Sequence, residues 1–114
     1  MHIHYLEIVT ADVDAVCAAY ASANGLEFGE PDSLLGYART ATLAGGGIVG
    51  IRAPLSESEK PVVRPYRLVV DIEAAVAAAV EAGGVVIHEP LELPGRGTFA
   101  IFVLGGNELG LWQM

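Results

Sequence analysis

Tyr5 and Glu7 stand two residues apart in the β-rich run 3–9, so they share one strand face. Such a pair can hydrogen-bond a ligand, and Glu7 can act as a base if burial raises its pKa. The plainer reading is a packing tyrosine beside a glutamate at a wet edge. Arg52 and Trp112 each follow a glycine by two residues, Gly50 and Gly110, and point the same way as that glycine. An arginine and a tryptophan can hold an anionic or planar ligand by ion pairing, stacking or cation–π contact. Equally, Arg52 can pair with one of the chain's many acids, and Trp112 can close a core or a dimer interface. Tyr66 and Tyr37 are further candidate pocket walls. Phe99 and Phe102 differ by an odd number of residues, so one faces a helix and the other the cavity.

Other familiar constellations are missing. His2, His4 and His88 are the only imidazoles, and His2 and His4 alternate with Tyr5, which turns them to the opposite strand face. Cys17 falls on an apolar helix face and reads as an inert core residue. Being the single cysteine, it excludes an internal disulfide and multi-cysteine metal sites. Pro94-Gly95-Arg96-Gly97 is a turn carrying one charge, placed to form a lip over a cavity. Gly45-Gly46-Gly47 has no following Lys-Ser/Thr and no helix, so it is not a phosphate loop. No Ser-His-Asp or Cys-His set is suggested.

The balance of residues narrows the class. The 114 residues carry 14 acidic and 6 basic groups, a formal charge of -8, which makes nucleic acid a poor partner. No basic segment precedes a long apolar run, and no stretch is long enough to span a bilayer. A soluble cytoplasmic protein without a membrane partner is expected. Hydrophobic residues make up 53% of the chain, enough to bury a core. Much of that share is alanine, so a partner chain is a reasonable source of extra stability.

The elements that must position these residues come in two copies. Asp12-Val13-Asp14-Ala15 matches Asp71-Ile72-Glu73-Ala74 at an offset of 59, and the same offset pairs Gly25 with Gly84, Glu30 with Glu89 and Pro31 with Pro90. Each copy opens with a β-rich run, 3–9 and 66–70, ending at an aspartate able to cap a helix, Asp12 or Asp71. Val13, Val16, Cys17 and Tyr20 then line one helical face, as do Ile72, Ala75, Val76, Ala79 and Val80. Asn24-Gly25 and Gly83-Gly84 stop the helices. Short strands follow at 26–31 and 85–90, each ending in Glu-Pro. Two hairpins come next, 37–43 with 48–53 and 98–104 with 109–113, turning at Gly45-Gly46-Gly47 and Gly105-Gly106-Asn107. This is an α+β chain: two tandem βαβββ modules, 1–54 and 65–114, joined by a surface linker 55–64, in one domain with mixed, mostly antiparallel sheets.

The pattern resembles the vicinal oxygen chelate superfamily, the glyoxalase, bleomycin-resistance and dioxygenase group, over almost the whole chain. The resemblance rests on Glu7-Ile8-Val9 leading through Asp12 to Tyr20, on Asp71 to Val76, and on Gly106-Asn107 through Gly110-Leu111-Trp112-Gln113. It implies curved sheets around a cup with helices on the outer face. It also implies a divalent metal held by first- and last-strand residues, usually His, Glu or Gln. Those positions fall here at Tyr5, Gly50, about Arg64, and Gly110. Glycine offers no donor and arginine repels cations, so the usual metal, or any other cofactor, is not expected.

The leading expectation is therefore a homodimeric, small-molecule-binding protein, after the precedent of bleomycin-binding members, with Tyr5, Glu7, Arg52, Tyr66 and Trp112 lining the cup. A metal-dependent lyase, isomerase, hydroxylase or dioxygenase using His4 in a shifted register stays open. So does a structural module whose cup is filled by its own side chains. Whether any reaction is catalysed is undecided.

Overall fold

A computed structural model describes residues 1–114. Seven strands and two helices follow in the order β1 (Ile3–Val9), α1 (Val13–Asn24), β2 (Arg39–Thr42), β3 (Ile48–Arg52), β4 (Val62–Leu68), α2 (Ile72–Glu81), β5 (Val85–Leu93), β6 (Gly97–Leu104) and β7 (Asn107–Gln113). The fold is α+β, with parallel and antiparallel pairings in the same sheet. By contacts the chain divides into a first unit, Tyr5–Val63, and a second unit made of Met1–His4 with Arg64–Met114. The division cuts β1 between His4 and Tyr5.

In the first unit β3 lies between its neighbours, parallel to β1 and antiparallel to β2. The apolar face of α1 covers this sheet: Cys17 joins Ile8, Ala41, Val49 and Ile51 in the buried core, with Val13, Val16 and Tyr20 packed at its margin. Burial pushes the Cys17 thiol pKa up, as suits an inert core cysteine. Gly25 ends α1 in a left-handed conformation with φ 64°, donating its N–H to the Ala21 carbonyl.

In the second unit the strand order is β4, β7, β6, β5, with β4 parallel to β7 and the remaining pairs antiparallel. Helix α2 packs Ala75, Val76 and Ala79 against a core of Ile72, Ala100, Phe102 and Leu111. Asp71 caps α2 by accepting from Ala74 N at 3.1 Å. The chain start belongs here too, since Leu68 N donates to the His2 carbonyl at 2.8 Å.

Several elements depart from the sequence pattern. No strand forms over 26–31: Leu26 and Phe28 turn into the α1 core, and Gly29 N makes a single bond to Thr40 O. Its counterpart in β5 has the β-branched run Val85-Val86-Ile87, which favours a ladder, whereas Gly29 and Pro31 do not. The first copy is therefore βαββ. Strand β5 in turn runs through Pro90 to Leu93, because register irregularities around His88 and Leu91 absorb the proline. Asp12 sits at the start of α1 without a side-chain capping bond; its ψ of 53° is not the extended geometry that aims a carboxylate at the first helical amides. Tyr37 adopts a left-handed φ of 65°, so it cannot enter β2, and its side chain is exposed rather than part of a wall. Strand β4 starts at Val62, inside the segment read as linker.

Candidate functional site

The candidate residues are buried, Tyr5 and Tyr66 to 3% exposure, Trp112 to 4%, Arg52 to 5% and Glu7 to 6%. Strand alternation and register decide what they meet. In the first unit Glu7 pairs in register with Gly50, and Arg52 lies one step on along the same face. Arg52 Nε donates to Glu7 Oε2 at 2.8 Å. Its two terminal nitrogens donate to Glu59 Oε1 and Oε2, both at 2.8 Å, and Nη1 also reaches the Ala53 carbonyl. Hydrogen bonding to Glu59, reinforced by Glu7, holds the guanidinium protonated far above its ordinary range despite burial. The Tyr5 ring lies directly over Gly50, in the space a side chain there would need.

The second unit repeats this arrangement with other partners. Tyr66 pairs in register with Gly110 and lays its ring over it. Arg64 is buried rather than exposed, because β4 begins before it and Glu108 on β7 accepts from its Nη2 at 2.6 Å and its Nε at 3.0 Å. Beside this pair runs a row of rings. His88 lies 4.6 Å from Phe99, Phe99 stacks on Trp112 at 6.0 Å, and Trp112 meets Tyr66 edge-on at 5.5 Å. Tyr66 also meets Phe99 edge-on, and His4 flanks Trp112 at 5.6 Å. Burial, with a smaller contribution from His2, pushes the His4 pKa down.

The turn between β5 and β6 is tied to the same row. Trp112 Nε1 donates to the Arg96 carbonyl at 2.9 Å. Gly97 holds φ at 115°, and a Cβ there would press on Trp112 Nε1 at 2.6 Å. The turn thus depends on glycine to lie this close to the indole. Phe102 faces α2 while Phe99 faces the row, as their odd spacing requires. A separate open hollow of ≈ 450 Å³ lies on the helix side of the first unit, lined by residues that include Leu6, Tyr20, Leu26 and Val49. No candidate residue reaches it.

Sequence reasoning missed Glu59 and the Arg64–Glu108 pair. Glu59 is one acid in a segment that reads as solvent-exposed linker, and nothing local marks it. The usable signal was indirect: a strand arginine between core residues needs carboxylates, and the chain has many.

No family model and no curated protein matches the chain. Solved structures do. A hypothetical protein from Bacillus halodurans C-125 superposes with a TM-score of 0.77 at 17% identity, over 99% of this chain and 94% of that one. Methylmalonyl-CoA epimerase from Mycobacterium tuberculosis gives 0.76 at 17% identity, over 97% and 86%. A variant of the Streptomyces coelicolor epimerase in complex with 2-nitronate-propionyl-CoA gives 0.67 at 17% identity, over 99% and 96%. The chain shares the fold of these proteins. The four positions at which the sequence resemblance implies a metal, Tyr5, Gly50, about Arg64 and Gly110, carry side chains that do not fit one. Tyrosine rings cover both glycines, Arg64 brings a positive charge, and the nearby carboxylates Glu7 and Glu108 are engaged by arginines. Nowhere do three or more His, Cys, Asp or Glu side chains gather into a metal-binding group. No helix is long and apolar enough to cross a membrane.

Proposed function

We propose that this chain binds a small organic ligand with a planar or aromatic part on the ring row of the second unit, without a divalent metal. What carries the reading is the row itself: Phe99, His88 and His4 keep part of their surfaces exposed beside buried Trp112 and Tyr66. Rings held edge-on and stacked in this way offer a planar ligand a preorganised face. Organic ligands have precedent on this fold, since solved epimerase structures are complexes with methylmalonyl-CoA and 2-nitronate-propionyl-CoA.

Trp112 is the only tryptophan, so its emission reports on the row directly. Titration with bleomycin, methylmalonyl-CoA and a planar heteroaromatic should give saturable quenching by at least one of them, equally with and without EDTA. Phe99→Ala should weaken that binding about tenfold, the upper range for one aromatic contact. Binding that requires added Zn²⁺ or Mn²⁺ refutes the metal-free reading, and a silent Trp112 across the panel refutes the site.

We further propose a homodimer. Edge strand β5 leaves Val85, Ile87 and Leu91 exposed, an apolar strip that a second copy would cover. Sedimentation at micromolar concentration should give the mass of two chains; the mass of one refutes it.

A further inference from the structure

We propose that the outer edge of Arg52 is a binding site for small organic carboxylates, held in this structure by the chain's own Glu59 as an internal stand-in for the ligand. The pairing has the form of ligand recognition: two parallel N–H···O bonds, both 2.8 Å, between one guanidinium edge and one carboxylate. The two acids on Arg52 are not equivalent. Glu7 belongs to β1, its side chain is only 8% exposed, and it takes the inner nitrogen. Glu59 belongs to an irregular segment between β3 and β4, and its side chain is 22% exposed.

Local bonds preform that segment around the carboxylate. Leu55 N donates to Glu59 Oε1 at 2.7 Å, and Glu59 N donates to the Ser56 carbonyl. The segment therefore closes on Arg52 as a short loop, and Glu59 competes with any outside anion at the high effective concentration of a tethered group. Exchange of one carboxylate for another leaves the charge at Arg52 unchanged, so burial does not oppose it. The site also has an apolar shoulder. Leu55 is 66% exposed, and its Cδ1 and Arg52 Cδ both approach the same point above Gly36, at 3.6 and 3.0 Å. A carboxylate carrying a short hydrocarbon body matches this pairing of fork and shoulder.

The test uses hexanoate as probe and the uncharged hexanamide as control, followed by ¹⁵N-resolved NMR. In the intact protein, millimolar hexanoate should shift the Arg52 Nε–H and the amides of residues 55–60. Glu59→Gln should bind hexanoate at least about tenfold more tightly, because the wild type binds it only in the fraction of molecules in which Glu59 has let go of Arg52. Arg52→Lys placed on Glu59→Gln should abolish that gain. Equal affinity in the wild type and Glu59→Gln, equal binding of hexanamide, or shifts centred away from Arg52 would each overturn the proposal. Inorganic phosphate binding as tightly as hexanoate would overturn the assignment to carboxylates. The wild-type shifts keep the test decisive if Glu59→Gln fails to fold.

Discussion

Gly110→Ala should cost at least ~3 kcal/mol, the upper range for overpacking a core by one methyl group. The new Cβ would land on Cδ2 of the Tyr66 ring and lie 2.5 Å from its Cγ. These are root atoms of the ring, so no rotation of a flexible tip relieves the clash. Tyr66 is itself fixed by Phe99 and Trp112 edge-on and by Arg64 at its hydroxyl. Gly50→Ala is the milder case, because its obstacle is the far end of the Tyr5 ring, led by the hydroxyl oxygen. Urea unfolding should rank the losses Gly110→Ala above Gly50→Ala. Gly45→Ala has open space and no left-handed backbone, so it should change stability by less than about 0.5 kcal/mol. A cycle with Tyr66→Ala should show strong positive coupling, most of the Gly110→Ala cost vanishing once the ring is gone. If the cost persists without the ring, the Tyr66–Gly110 contact is not its source.

Arg52→Met should destabilise by ~3–5 kcal/mol, the usual cost of removing one partner from a buried ion pair. It takes away the cation 2.8 Å from Glu7, whose side chain is 8% exposed, and releases the segment that Glu59 anchors. Charge alone does not explain the expected size, since Arg52→Lys keeps the charge but lacks the fork that serves Glu7 and Glu59 together. The lysine variant should fall between wild type and Arg52→Met. Glu7→Leu combined with Arg52→Met should recover most of the loss, because an apolar pair of similar volume replaces the pair without leaving a buried charge. Chemical denaturation of the four proteins settles it: a double variant no better than Arg52→Met would show that the cost lies in the Glu59 segment rather than in the stranded carboxylate.

Periodicity made much of this molecule legible. The offset between Asp12 and Asp71 placed both helices, and helical spacing put Cys17 and Val76 against their sheets. Alternation set Glu7 with Tyr5 and Arg52 with Gly50, but it is the register of β1 on β3 that brings Glu7 to Arg52. What stayed hidden depended on partners distant in sequence. Residues 26–31 repeat the Glu-Pro ending of the second copy, yet without its β-branched run they yield their apolar groups to α1. Arg64 looked like the end of a linker because nothing near it reveals that β7 brings Glu108 alongside. Tyr37 was read by residue type, while its backbone is governed by the preceding turn, where Asp32 accepts from the Leu34, Leu35 and Tyr37 amides. The ring row is legible only as scattered aromatics until β5, β6 and β7 are aligned.

The first four residues belong to the second unit, with the His2 carbonyl bonded to Leu68 and the His4 ring against Trp112. That places His4 against a residue far along the sequence. During synthesis, His4 must wait for β7, which is made much later. Vectorial folding can complete the α1 sheet early, but the second unit closes only once β7 has emerged. Such long-range pairing raises the contact order and slows the final step, because the loop entropy is lost before the contact is gained. A substitution at His4 would therefore act on the half of the protein encoded far downstream of it.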